Sequence, residues 1–500
     1  MIKNIFPFIF AWICLVATCE AQDYRYVNTI FPGSVKTAGI VYGTASFLNS
    51  PYMNESLVTT QNLVMDLYHP QNDTLTKRPA IIFAHPGGFV TGNRTVDDMV
   101  AFCDTFARKG YVTATIDYRQ GLEISDNADL HYERAAYRGI QDGHTAIRFL
   151  RANAATYGID PDKLYFGGSS AGSFIGLNAI YLDTNELPSY VGPVSYTAFF
   201  VHYTGPSLGN PDVGDNLGYN GTPDGLLACW GGVGDTLTIG TNNTSPVFLI
   251  HGTDDQTVPF NSGPPFGYSS FSNVYGSHSI SIRLNTIGIP AKETYFVAGR
   301  GHEFYGTSNG MWTNGTGGNA YWDTIVLKST RFFWQLHKPD AAFTFQANGM
   351  TVSFNDQSQG ALAWQWSFGD GASSTLRNPV HTYAAAGVYA VSLYISNDIQ
   401  SWDTLTQQIM VPSYTGLQEP SGEPVRLYPV PASGNVTIIA DRLTDPADIK
   451  VSDLFGKLMH VTASHEGKKM VLDLSGMAKG VYLVSISSAA GPLTMKLIIE

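Results

Sequence analysis

The chain has 500 residues, 44% hydrophobic and only 14% charged. That balance excludes an intrinsically disordered polymer, which lacks the apolar content to bury a core. The formal charge of −12 sets the overall field against nucleic acid, and no cluster of Lys and Arg makes a basic patch to overcome it. At roughly 150 residues per domain the length points to two to four domains.

The N-terminus reads as an export signal over 1–21. Lys3 gives a positive start, the apolar stretch 5–17 is too short to span a bilayer, and Cys19-Glu20-Ala21 ends in a small residue suited to signal-peptidase cleavage. A lipidated Cys19 is the competing reading, against which Thr18 is bulkier than the residue usual there. No other long apolar run follows, so no transmembrane segment is expected in the mature chain. Cleavage leaves Cys103 and Cys229. Two cysteines make no disulfide framework, although an oxidising compartment would allow them to pair.

From 22 to 338 the pattern alternates. Strands are expected at 57–68, 79–84, 112–118, 164–167, 198–203, 246–251 and 293–297, and helices at 96–109, 132–157, 171–182, 270–287 and 320–336. This βαβα order predicts an α/β domain with a mostly parallel central sheet covered on both faces. From 339 the helical period stops, and short alternating strands with Gly, Asn and Asp turns run to 412. A Pro/Gly/Ser/Glu stretch at 413–424 reads as a linker, and 425–500 returns to short strands, giving two small all-β sandwich domains.

The chemistry lies in the first part. Gly168-Ser169-Ser170-Ala171-Gly172 follows an apolar strand and opens a helix, the context of a nucleophile elbow. The sharp turn holds Ser170 in strained backbone with its hydroxyl exposed, and small neighbours let the chain pass. The Ala171 N–H and the positive helix end face the same space. His85-Pro86-Gly87-Gly88 follows an earlier strand. Pro86 has no N–H, but those of Gly87 and Gly88 can join Ala171 in an oxyanion hole. A base and an acid should follow in the order Ser, Asp, His. Asp255, in His251-Gly252-Thr253-Asp254-Asp255, is the candidate acid with Asp254 as its neighbouring rival. His302, in Gly299-Arg300-Gly301-His302-Glu303, is the candidate base. His85 and His251 read as loop anchors. Between 203 and 246 lies a Gly/Asn/Asp-rich segment in which Tyr203, Leu226, Leu227 and Trp230 either wall an acyl pocket or anchor a solvated loop.

These motifs, with the run DGHTAIRFLRANAATYGIDPDKLYFGGSSAG over 142–172, resemble a secreted serine carboxylesterase of the α/β-hydrolase fold. His85-Pro86-Gly87-Gly88 is similar to the HGGG oxyanion motif of hormone-sensitive-lipase-like and feruloyl or acetyl-xylan esterases, with Pro86 in place of the first Gly. The resemblance implies acyl-enzyme chemistry with no metal and no organic cofactor. Its substrates would be esters, with acetyl or feruloyl groups on polysaccharide as the expected class. A serine peptidase, a polyester hydrolase and a non-catalytic adhesion protein are the rival readings.

Trp366-Ser367-Phe368-Gly369-Asp370-Gly371, Asn378-Pro379, His381-Thr382-Tyr383 and Gly387-Val388-Tyr389 resemble a PKD domain, a small immunoglobulin-like sandwich that contacts polymer or only spaces its neighbours. Leu427-Tyr428-Pro429-Val430-Pro431, Gly480-Val481-Tyr482-Leu483-Val484 and the closing Met495-Lys496-Leu497-Ile498 resemble a type IX secretion sorting domain. That resemblance implies export machinery as a partner, a location at the outer cell surface or in the medium, and loss of the domain after export.

Overall fold

The computed structural model describes residues 24–49, 54–123, 125–412, 426–439, 449–466, 469–486 and 493–500. The expected signal at 1–21 and linker at 413–424 lie outside the described residues.

The chain forms two compact units. One contains Met1–Ala342, Ser358–Trp364 and Tyr394–Leu405; the other contains Phe343–Gln357, Gln365–Leu393 and Thr406–Glu500. In the first, the elements run β1 (Ser34–Leu48), β2 (Val58–Pro70), β3 (Arg78–Ala84), α1 (Asp97–Ala107), β4 (Val112–Ile116), α2 (Ala128–Ala152), α3 (Ala154–Tyr157), β5 (Ile159–Ser169) and α4 (Ala171–Tyr181). There follow β6 (Val194–Ala198), β7 (Val201–Gly205), β8 (Leu226–Cys229), β9 (Gly232–Val233), β10 (Val247–Gly252), β11 (Ser262–Gly263), β12 (Val274–Gly276), α5 (Ser277–Thr286), β13 (Glu293–Val297), the two-residue strands β14 (Thr307–Ser308) and β15 (Met311–Trp312), and α6 (Ala320–Gln335).

Eight strands make one sheet in the order β1-β2-β4-β3-β5-β8-β10-β13. Only the β1–β2 and β2–β4 pairs are antiparallel; the rest are parallel. The parallel strands β3, β4, β8 and β10 are buried along their whole length, covered on both faces as strands of a parallel sheet are. Two clusters of buried side chains form the core, one around Ile82, Phe166, Ile175 and Leu249, the other around Phe83, Phe102, Phe106 and Phe248. Strand order reverses at β3, which pairs β4 on one side and β5 on the other. In such sheets the crevice outside the carboxyl ends at this switch point takes ligands. The motifs after β3 and β5 both sit there.

Four expectations change. β1 was not anticipated: only two of its 15 residues are buried, and it is an edge strand without a strong apolar signal. Residues 226–229, expected within the Gly/Asn/Asp-rich segment, form a central strand too short to announce itself there. The strand expected at 198–203 is a β6–β7 hairpin outside the main sheet, turning at Phe199 and Phe200, both at positive φ. The helix expected from 270 begins only at Ser277, because the preceding residues pair as β12 with β11 and β9. Cys103 and Cys229 are free and buried, with no disulfide between them.

The second unit is all β. Phe343–Asn348, Thr351–Asp356 and Val380–Thr382 pair in one sheet, and Trp366 is fully buried. The last domain stacks two four-stranded sheets over a core containing Val436, Ile438, Val451, Leu472, Val484 and Leu497.

Candidate active site

β5 ends at Ser169 and α4 begins at Ala171, leaving Ser170 alone between them at φ 53°, ψ −116°. A non-glycine residue persists there only where its surroundings over-determine it. Here they do. Ser170 N donates to Cys229 O at 3.0 Å, and Ser170 O accepts from Ser173 N and Phe174 N. A Cβ on Gly168 would fall 2.3 Å from Gly172 carbonyl atoms, and one on Gly172 would fall 2.1 Å from Ala84 O. The elbow is therefore pressed between β3 and its own helix, and only glycine fits on either side.

The glycine turn leaves β3 next to this elbow, because Ala84 and Gly168 are register partners. Gly87 (φ 121°) and Gly88 (φ 59°) adopt left-handed backbone. Gly87 O accepts from Val90 N and Thr91 N, while the Gly87 and Gly88 N–H groups meet no protein acceptor among the described residues. His85 anchors the turn: its Nδ1 lies 2.6 Å from Pro86 O and its ring stacks on Tyr118 at 4.2 Å. Burial pushes the His85 pKa down to about 4, so the imidazole is neutral and donates from Nδ1.

Asp255 follows β10. Its Oδ1 accepts from Thr257 N at 2.8 Å and Val258 N at 2.9 Å, and its Oδ2 lies 2.7 Å from His302 Nδ1 and 3.3 Å from His251 Nε2. Burial alone would raise this carboxyl, but hydrogen bonds to His251 and His302 hold it well below the usual carboxylate range. His251 is buried and fixed at its other nitrogen by Ser277 Oγ at 2.8 Å. His302 is the more open of the two, its side chain 16% exposed. With Nδ1–H given to Asp255, its Nε2 carries the lone pair. Asp254 is exposed and accepts from Thr253 Oγ1 instead. The loop carrying His302 is laid across the end of β10, where a Cβ on Gly252 would fall 2.1 Å from Arg300 O.

The residues expected to wall a pocket lie elsewhere. Leu226 and Leu227 are buried in β8. Trp230 is fully buried behind the site, its Nε1 donating to Ser169 Oγ at 2.9 Å and its ring 6.2 Å from His302. Tyr203 is half-buried on the β6–β7 hairpin, stacked on Tyr196 at 5.8 Å. One residue near the glycine turn was missed. Phe266, 40% exposed at φ 59°, places its ring 3.4 Å from where a Gly88 Cβ would sit, and it neighbours Tyr132 and the exposed Tyr268. The aromatic spacing at 266, 268 and 271 was the available signal, obscured by the expectation of a helix from 270. Among the described residues no group of three or more His, Cys, Asp and Glu side chains is arranged to hold a metal ion.

Strand order, elbow and the Asp255–His302 pair together define the α/β-hydrolase class. Comparison with known proteins adds the particulars. Residues 65–198 match the BD-FAE family model, 337–411 the PKD domain and 426–500 the secretion system C-terminal sorting domain. The chain thus joins an esterase-like α/β-hydrolase domain to a PKD domain and a sorting domain. The last marks it for type IX export to the cell surface or medium. Among curated relatives, a probable isoprenylcysteine alpha-carbonyl methylesterase of Arabidopsis thaliana is 30% identical over 30% of this chain and 28% of its own length. Gut esterase 1 of Caenorhabditis briggsae is 28% identical over 26% of this chain and 24% of its own length, and mouse carboxylesterase 3B is 30% identical over 26% and 23%. The chain spans about a quarter of the length of these relatives. Among solved structures, apo Thermogutta terrifontis esterase 2 aligns over 61% of this chain and 96% of its own at 17% identity, with a TM-score of 0.39.

Proposed function

We propose that the α/β domain hydrolyses carboxylic esters through an acyl-enzyme, with Ser170 as nucleophile, His302 as general base and acid, and Asp255 orienting the imidazole. The observation that carries this reading is the 2.7 Å contact between Asp255 Oδ2 and His302 Nδ1 in a domain whose serine sits on a strained elbow. His302 Nε2 takes the Ser170 proton as Oγ adds to the ester carbonyl, and the oxyanion is received by the N–H groups of Ala171, Gly87 and Gly88. Each such donor contributes about 3 kcal/mol to the transition state. Collapse expels the alcohol, which takes the proton from His302. A water then repeats the sequence on the acyl-serine and frees the acid. No step needs a metal or an organic cofactor.

For the substrate we infer short acyl or hydroxycinnamoyl esters on a polysaccharide. Three observations support it: the match to the BD-FAE model, the match to a secretion sorting domain, which suits an enzyme meeting polymers outside the cell, and the Phe266 ring beside Gly88 with Tyr268 next to it. The names of the relatives, esterases and a methylesterase, support ester chemistry over peptide hydrolysis. The test is a panel of acetyl-xylan, methyl ferulate, acyl esters of increasing length, a polyester film and a peptide anilide. Fastest turnover of acetyl-xylan or methyl ferulate supports the reading. Fastest turnover of long-chain esters or polyester rejects the polysaccharide assignment, and turnover of the anilide alone rejects ester chemistry.

A further inference from the structure

Directly beneath the elbow lies a column of polar side chains that no step of the proposed chemistry uses. Ser169, Trp230, Tyr305 and Asp98 are all fully buried. The Trp230 indole N–H donates to Ser169 Oγ at 2.9 Å. The Tyr305 ring packs edge-on against Trp230 at 4.6 Å, and its phenol donates to Asp98 Oδ2 at 2.7 Å. Asp98 sits in the first turn of α1, where Oδ1 accepts from Met99 N and its own N–H donates to Gly310 O. Two hydrogen bonds, indole to serine and phenol to carboxyl, are thus joined through the packed Trp230 and Tyr305 rings, and the second ends on an acceptor tied into a helix start.

The column touches both halves of the site. Ser169 immediately precedes the nucleophile. The Trp230 ring lies edge-on to Tyr305 at 4.6 Å, to Phe304 at 5.1 Å and to His302 at 6.2 Å. Trp230 is itself held at φ 42°, a conformation unfavourable for a bulky residue, with its backbone N–H bonded to Ile250 O at 2.7 Å. Strain at a buried tryptophan that bonds one side of the site and packs the other is what a spacer between nucleophile and base requires.

We propose that Trp230, Ser169, Tyr305 and Asp98 form a positioning network that fixes the elbow against the imidazole without touching substrate; this rests on the ester-hydrolase reading above. A structural role alone predicts loss of folded protein with unchanged turnover by what remains. A positioning role predicts slower turnover by each correctly folded site.

The experiment is a double-mutant cycle in the full chain, with kcat expressed per serine titrated by a fluorophosphonate. Trp230→Phe deletes the N–H and keeps a ring; Ser169→Ala deletes the acceptor. Each single change should lower kcat per titrated site about tenfold with KM held within about twofold, and the double variant should be no slower than the worse single one, because both remove the same bond. Wild-type kcat in both single variants, or losses that multiply in the double, would overturn the network. Should Trp230→Phe be recovered only as aggregate, Tyr305→Phe removes one oxygen from the far end and must show the same fall in kcat at constant KM; wild-type kcat there overturns the proposal. A wild-type protein that neither labels nor turns over esters overturns the esterase reading and the network's catalytic role with it, whereas an active wild type with unaffected variants overturns the network alone.

Discussion

Two buried charged clusters in the α/β domain invite comparison. Around Asp255, two histidines share one carboxylate, and one of them, His302, is partly open to solvent. Around Glu55, the carboxylate accepts from Arg134 Nε at 2.6 Å, His131 Nδ1 at 3.2 Å and Arg138 Nη1 at 3.3 Å, and the remaining Arg134 donors are absorbed by the carbonyls of Tyr190, Gly192 and Pro206. Burial would raise Glu55, but hydrogen bonds from His131 and Arg134 bring it down to about 2. A cavity of about 550 Å³ lies beside it, lined by Arg119, Arg138, Gln141 and Asp142 and by neither Ser170 nor His302. Burial and charge are thus common to both clusters, and the cavity lies beside the one without the serine. What separates the Asp255 cluster is access: the His302 side chain is 16% exposed, whereas His131 is fully enclosed with its Nε2 unpartnered and Arg134 spends its outer donors on carbonyls.

The largest break in this comparison comes from Ser170→Ala, which should reduce ester turnover by about 10³–10⁶-fold with the fold intact by circular dichroism. A variant that kept its rate would put the nucleophile elsewhere. Next is the acid. Asp255→Asn should lower kcat by about 10³–10⁴-fold by permitting the wrong imidazole tautomer, while Asp254→Asn should stay close to wild type; the reverse ranking would exchange the two roles. On the structural side, Glu55→Ala should cost about 3–5 kcal/mol in denaturant unfolding by stranding buried guanidinium groups, yet leave kcat per titrated serine unchanged. A lower kcat at wild-type stability would make the Glu55 cluster part of the site.

The smallest effect concerns pH. Glu123 is buried, and burial followed by the charge of Glu55 pushes its carboxyl from 4.5 up to about 7. An acid whose folded pKa is raised favours the folded state fully below its unfolded value and loses that contribution as pH rises through the folded one. Stability should therefore decline between about pH 4.5 and 7 by about 1–3 kcal/mol from this group, and Glu123→Gln should flatten that slope. An unchanged slope in the variant would assign it to other groups.

The sequence made the elbow, the glycine turn and the order Ser, Asp, His legible because each is a short motif fixed to the end of a strand, and strands rich in Ile, Val and Phe such as 79–84 and 246–251 declare themselves by composition. Asp255 was distinguishable from Asp254 only in three dimensions, where one faces His302 and the other Thr253. Trp230 was noticed for its chemistry but misplaced, because β8 is only four residues long and a four-residue apolar run amid Gly and Asp has no period to read. Phe266 and Asp98 carried no motif. Their neighbours, Gly88 and Tyr305, are distant in sequence, and such long-range pairings are what a single sequence does not disclose.

The central claim is that Ser170 is an activated nucleophile. Its most direct test is labelling of the folded protein with a fluorophosphonate, followed by peptide mass spectrometry. The account predicts one adduct, on Ser170, that disappears in Ser170→Ala and forms markedly more slowly in Asp255→Asn. Folded protein that acquires no adduct, or one on another residue, would contradict it.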